Sequence, residues 1–101
     1  MVKAAADADL LLFVVPHQFV TNVCSALAGK VKPTSLVLSL TKGLRNVEPG
    51  KIELLSHEIN RALGVEVGAL MGANVAMDAA RGDFCETTIG RRITVFRCIN
   101  I

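Results

Sequence analysis

Residues 10–15 read Leu-Leu-Leu-Phe-Val-Val, an unbroken apolar run closed by Asp9 before it and Pro16 after it. A run this short, this apolar and this sharply bounded is the pattern of a strand covered on both faces, as in a parallel sheet. It cannot cross a bilayer as a helix, which takes about 20 apolar residues. A buried parallel strand needs crossover connections, and the rest of the chain supplies candidates for them.

Val2 to Ala8 is alanine-rich and reads as the end of a helix. Pro16 suits the first turn of a second helix, where its missing N–H costs nothing. Val20, Val23, Cys24 and Leu27 then recur at helical spacing, with Gly29 as a stop. Ser35 to Leu40 predicts a second strand, and Arg45 to Gly50 a loop broken by Asn46, Pro49 and Gly50. Ile52, Leu55, Ile59 and Leu63 form one stripe, which predicts a helix over Lys51 to Leu63 with Gly64 just past its end. Val65 to Met71 predicts a third strand and Val75 to Arg81 a short helix. Cys85 to Ile89 and Ile93 to Phe96 are rich in Thr, Ile and Val and predict further strands. The expected fold is α/β with a parallel sheet.

Composition narrows the function classes. The 101 residues are 51% hydrophobic and carry a net charge of +2, so a small single domain is expected. The basic residues are scattered from Lys3 to Arg97, which argues against nucleic acid or an anionic membrane as partner. A mean hydropathy of +0.48 is high for so short a chain, which has little interior to hide apolar groups. The expectation is a piece of a larger core. Asp7 and Asp9 interrupt any apolar stretch that would mark a leader. Cys24, Cys85 and Cys98 lack the CxxC spacing of a zinc or redox site and are expected as buried free thiols in a reducing cytosol.

In parallel sheets ligands bind beyond the carboxyl ends of the strands. Here those ends are Pro16-His17-Gln18-Phe19, Thr41-Lys42-Gly43 and Gly72-Ala73-Asn74, expected side by side on one rim. Lys42 is either a cation for a phosphate, carboxylate or developing oxyanion, or a solvated surface lysine. Asn74 is either a ligand contact beside two small residues or a helix N-cap. His17 has no Asp or Ser partner placed by spacing, which favours a polar residue at a helix start over acid–base chemistry. His57 reads as a solvated helix residue. Glu86-Thr87-Thr88 is polar for a buried strand. Gly64, Gly68 and Gly72 recur every four residues but do not form a GxGxxG phosphate loop.

Four stretches together resemble the cytosolic, eukaryotic-type NAD-dependent glycerol-3-phosphate dehydrogenases: Asp7-Ala8-Asp9 running into LLLFVVPHQF, then SLTKG, then LMGANVA, then FCETTIG. The likeness runs from Val2 to Gly90. It implies a partial Rossmann-like, doubly wound parallel sheet, with residues 1–90 as part of the NAD-binding domain and 91–101 as a divergent tail. It implies that Lys42 contacts the phosphorylated three-carbon substrate and that Asn74 lies near it. It places Phe19 and Ala76 at the NAD site. The reaction implied is reversible hydride transfer between NADH and dihydroxyacetone phosphate, giving sn-glycerol 3-phosphate, in a cytoplasmic homodimer.

The sequence also departs from that family. The glycine-rich turn of its first βαβ unit has no match here. Neither does the helical C-terminal domain, which holds the general acid/base lysine and a phosphate-gripping arginine. Gly90-Arg91-Arg92-Ile93 follows at once where the family has a loop and helix. The chain is therefore expected to be a fragment with little or no activity of its own. Two other readings stand beside it: a non-catalytic α/β piece that pairs with another subunit, and a related NAD(P)-dependent hydroxyacid-type reductase. PHQF and CETTIG argue against the latter.

Overall fold

The computed structural model describes residues 1–73 and 75–91, and the backbone of 97–100. Asn74 and the strand expected over Ile93 to Phe96 lie outside the described residues.

A short helix α1 (Val2–Ala6) leads into strand β1 (Leu10–Phe13). Pro16 is followed by one 3₁₀ turn (His17–Phe19), and only then by α2 (Val20–Leu27). Strand β2 (Leu36–Ser39) pairs parallel to β1, and β5 (Glu66–Met71) pairs parallel to β2. Helix α3 (Leu55–Leu63) connects toward β5 and ends where Gly64 turns left-handed at φ 67°. A side chain on Cβ disfavours that conformation, so glycine is the natural residue there.

Helices α2 and α3 pack on one face of the sheet. Val20, Cys24 and Leu27 of α2 and Leu55, Ile59 and Leu63 of α3 are buried against Phe13, Val37 and Val67. The strand alternation is visible along β2: Val37 and Ser39 point into this core, while Leu36 is half exposed. Leu10 and Leu12 of β1 are likewise more than half exposed, so the opposite face of the sheet carries bare leucines. The apolar excess of the sequence sits there.

The parallel part of the sheet ends at β5. After α4 (Ala76–Arg81), strand β6 (Glu86–Arg91) returns antiparallel to β5, and β7 (Arg97–Asn100) antiparallel to β6. The order is β1-β2-β5-β6-β7.

The largest departure from the sequence expectation follows β2. Lys51 to Leu63 is not a single helix. Leu44–Glu48 forms β3 and Lys51–Leu54 forms β4, an antiparallel hairpin, and the helix begins only at Leu55. The turn chemistry of Pro49-Gly50, with Gly50 at φ 81°, decides this locally. Ile52 falls in phase with the α3 stripe by coincidence and is exposed. The loop expected over Arg45 to Gly50 is mostly β3.

Candidate functional site

The registers align the carboxyl ends of β1, β2 and β5. Phe13 lies beside Ser39, and Ser39 beside Ala69. The segments that follow them therefore emerge on the same edge of the sheet, as expected.

Thr41 fastens two of these segments. It is buried, and its hydroxyl lies 2.7 Å from the Val15 carbonyl oxygen and 3.3 Å from that of Phe13. Ser39, also buried, lies just before it. Sequence reading passed over Thr41 because a threonine at a strand end carries no distinctive pattern.

Lys42 follows, with its side chain exposed at the rim. Its Nζ donates to the Gly72 carbonyl oxygen at 3.4 Å. That contact brings the second and third rim segments together, 30 residues apart in sequence. Gly43 has φ 134° and approaches the start of α3, where Leu55 Cδ1 would lie 3.8 Å from a Cβ placed on it.

Gly72 is fixed more tightly. At φ 132°, a Cβ on it would sit 2.4 Å from the Glu86 carbonyl oxygen of β6. No side chain fits that space, so the backbone at the end of β5 runs hard against β6. The Glu86 N–H donates to the Ala73 carbonyl at 3.2 Å and continues this contact.

The other sequence candidates are placed as follows. Phe19 closes the 3₁₀ turn, with its N–H on the Pro16 carbonyl at 2.9 Å, and its ring is half exposed. Ala76 is the first residue of α4 and is exposed. His17 is exposed on the 3₁₀ turn. His57 is exposed near the start of α3, where it joins Ser56, Asn60 and Ala69 around a cavity of about 260 Å³. Thr87 is buried in β6, so the polar strand segment is partly inside the fold.

A polar cluster lies next to the rim that the sequence reading missed. Glu58, off the Leu55-Ile59-Leu63 stripe of its helix, is nonetheless 6% exposed. Its Oε1 accepts from Thr21 Oγ1 on α2 at 2.8 Å and from the Arg45 guanidinium on β3. Its Oε2 is buried without a hydrogen-bond partner. Cys24 is close enough to feel the carboxylate. Burial first, and the Glu58 charge second, push its thiol up to about 11. The one signal available in sequence was position: residue 58 borders the Leu55-Ile59 stripe.

Cys24 and Cys85 are buried free thiols. Among the described residues no group of three or more His, Cys, Asp or Glu side chains is arranged to hold a metal ion. Among them, too, no helix is long and apolar enough to cross a membrane.

Residues 1–94 match the family model described as the NAD-dependent glycerol-3-phosphate dehydrogenase N-terminus. A cytoplasmic glycerol-3-phosphate dehydrogenase [NAD(+)] from Drosophila melanogaster is 53% identical over 90 residues, which is 89% of this chain and 25% of that protein. The protein of the same name from Oryctolagus cuniculus is 49% identical over 90 residues. The solved glycerol-3-phosphate dehydrogenase from Saccharomyces cerevisiae superposes with a TM-score of 0.82 at 36% identity, covering 92% of this chain and 26% of that one. The enzyme from Plasmodium falciparum gives 0.81 at 38% identity. The chain thus spans about a quarter of the length of the relatives it matches. With an α/β sheet that is parallel over β1, β2 and β5 and a match over nearly its whole length, the chain belongs to the family of NAD-dependent glycerol-3-phosphate dehydrogenases, within their N-terminal part.

Proposed function

We propose that this chain supplies part of the coenzyme- and substrate-binding rim for hydride transfer between NADH and dihydroxyacetone phosphate, giving sn-glycerol 3-phosphate. The observation that carries this reading is the Lys42–Gly72 contact. It places a cation on the rim of a parallel sheet, over backbone with no bulky side chain. A lysine there holds a phosphate or a carbonyl oxygen by a charge-assisted hydrogen bond. The side chain is exposed and flexible, so its ammonium can turn toward a ligand oxygen. Asn74 is proposed to reach the same substrate.

The residues present fit part of a dinucleotide. The exposed Phe19 ring offers an apolar wall after β1, and Ala76, exposed at the start of α4, presents only a methyl group. These two would hold NAD, which supplies the hydride when bound. The sequence has no GxGxxG turn for the pyrophosphate, so this chain alone is expected to bind NAD weakly. Residues 1–90 are proposed as the working segment and 91–101 as a tail outside it. Cytoplasmic location and a homodimer are proposed for the whole enzyme.

The test is a titration of the ¹⁵N-labelled chain with sn-glycerol 3-phosphate, followed by NMR. Shifts concentrated at the amides of Lys42, Gly43, Gly72 and Ala73, absent in Lys42→Ala, support the reading. No shift at the rim at millimolar ligand contradicts it. An assay of NADH oxidation with dihydroxyacetone phosphate on the chain alone should show little turnover.

A further inference from the structure

The hairpin β3–β4 begins two residues after Lys42, and almost nothing apolar holds it down. All five residues of β3 are exposed, and of β4 only Glu53 is partly buried. What fastens it to α3 is charge, in two crossed ion pairs. Arg45 of β3 reaches Glu58 of α3. Arg61 of α3 reaches back to Glu53 of β4 with both nitrogens, at 2.7 and 3.0 Å. Arg45 and Glu53 are themselves opposite one another in the hairpin.

The Glu58 pair is an expensive way to hold a hairpin. Its carboxylate is buried, and one oxygen lacks a hydrogen-bond partner. Arg45 is exposed, but desolvating the Glu58 carboxylate with one oxygen unpaired offsets much of the Coulombic gain, so apolar replacement of both partners is expected to cost little stability. What such a pair does provide is direction, because a guanidinium bonds a carboxylate in a fixed geometry. Thr21 locks the same carboxylate oxygen to α2. Between this clamp and Lys42 stand only Leu44 and Gly43, and glycine is the residue with most freedom to swing.

We propose that Arg45 and Glu58 are positioning residues, which fix the hairpin on α3 and thereby hold the Lys42–Gly43 segment at the rim. Its functional meaning rests on Lys42 being the substrate contact proposed above. The structural claim can be judged without any ligand.

The experiment compares the unaltered chain with Arg45→Met/Glu58→Met, Arg45→Met and Arg45→Lys. It reads backbone NMR order parameters and, separately, the affinity for sn-glycerol 3-phosphate. In the double variant the fold should persist, with order at Val37, Ile59 and Val67 unchanged. Order at residues 42–48 should fall from about 0.85 to below about 0.6. Affinity should drop at least 5-fold, and Arg45→Lys should lie between the two. Arg45→Met alone, which strands a buried carboxylate, should lose both order and overall stability. The proposal is overturned if residues 42–44 keep their order in the double variant, or if order falls equally across α3 and β5. If the unaltered chain binds no sn-glycerol 3-phosphate, the substrate reading fails while the order parameters still decide this one.

Discussion

The hydroxyl of Thr41, just past β2, donates to the carbonyl of Val15, just past β1, at 2.7 Å. The two residues are 26 positions apart, and the bond holds together two of the three segments that form the rim. Thr41→Val keeps the shape and removes the donor. It should lower the unfolding free energy by about 1 kcal/mol, the net value of one such bond. Urea denaturation checks this, and a loss under about 0.3 kcal/mol would mean that packing alone holds the rim.

Gly72 and Gly90 make a paired test of backbone approach. Gly72→Ala forces a Cβ into the Glu86 carbonyl, in a conformation L-residues avoid. It should destabilise by about 1–3 kcal/mol. Gly90→Ala meets nothing within 4 Å and should be neutral within about 0.5 kcal/mol. Equal effects on the unfolding midpoint would show that β5 and β6 are not packed as described.

Alternate residues of β2 should differ sharply. Val37 is 3% exposed in the core, and Leu36 is 48% exposed on the bare face. Val37→Ala should cost about 2 kcal/mol from lost burial and the cavity left behind. Leu36→Ala should cost well under 1 kcal/mol. Similar costs at the two positions would mean that the leucine face is covered.

Cys24 makes stability fall at high pH. An ordinary thiol in the unfolded chain releases its proton near 9.0, whereas the folded one holds it to about 11. The folded state thus binds more protons across that window. Its contribution is intact below about pH 9 and is lost as pH rises toward 11. Relative to Cys24→Ala, the unaltered chain should lose on the order of 2–3 kcal/mol between pH 8 and pH 11. Parallel pH profiles for the two chains would contradict this.

Much of the rim was legible because its elements are marked by local chemistry. Asp9 and Pro16 bracket β1, the Val20-Cys24-Leu27 face marks α2, and Gly64 and Gly82 end α3 and α4 in left-handed turns. The hairpin was hidden because Ile52 happens to fall in helical phase with Leu55 and Ile59. Glu58 was hidden because charge predicts exposure, and only its tertiary partners Thr21 and Arg45 make burial tolerable. The reversal of β6 against β5 was equally invisible, since β-rich composition says nothing of direction.

The role of Lys42 is tested most directly in a complete enzyme. The 90 residues of this chain that align with the Drosophila melanogaster relative would replace their counterparts in it. Steady-state NADH oxidation with dihydroxyacetone phosphate would then be measured with and without Lys42→Ala. Loss of a charge-assisted contact predicts a fall in kcat/KM of roughly 10- to 150-fold, or about 1.5–3 kcal/mol. An active chimaera whose kcat/KM is unchanged within twofold by Lys42→Ala would remove this lysine from the site.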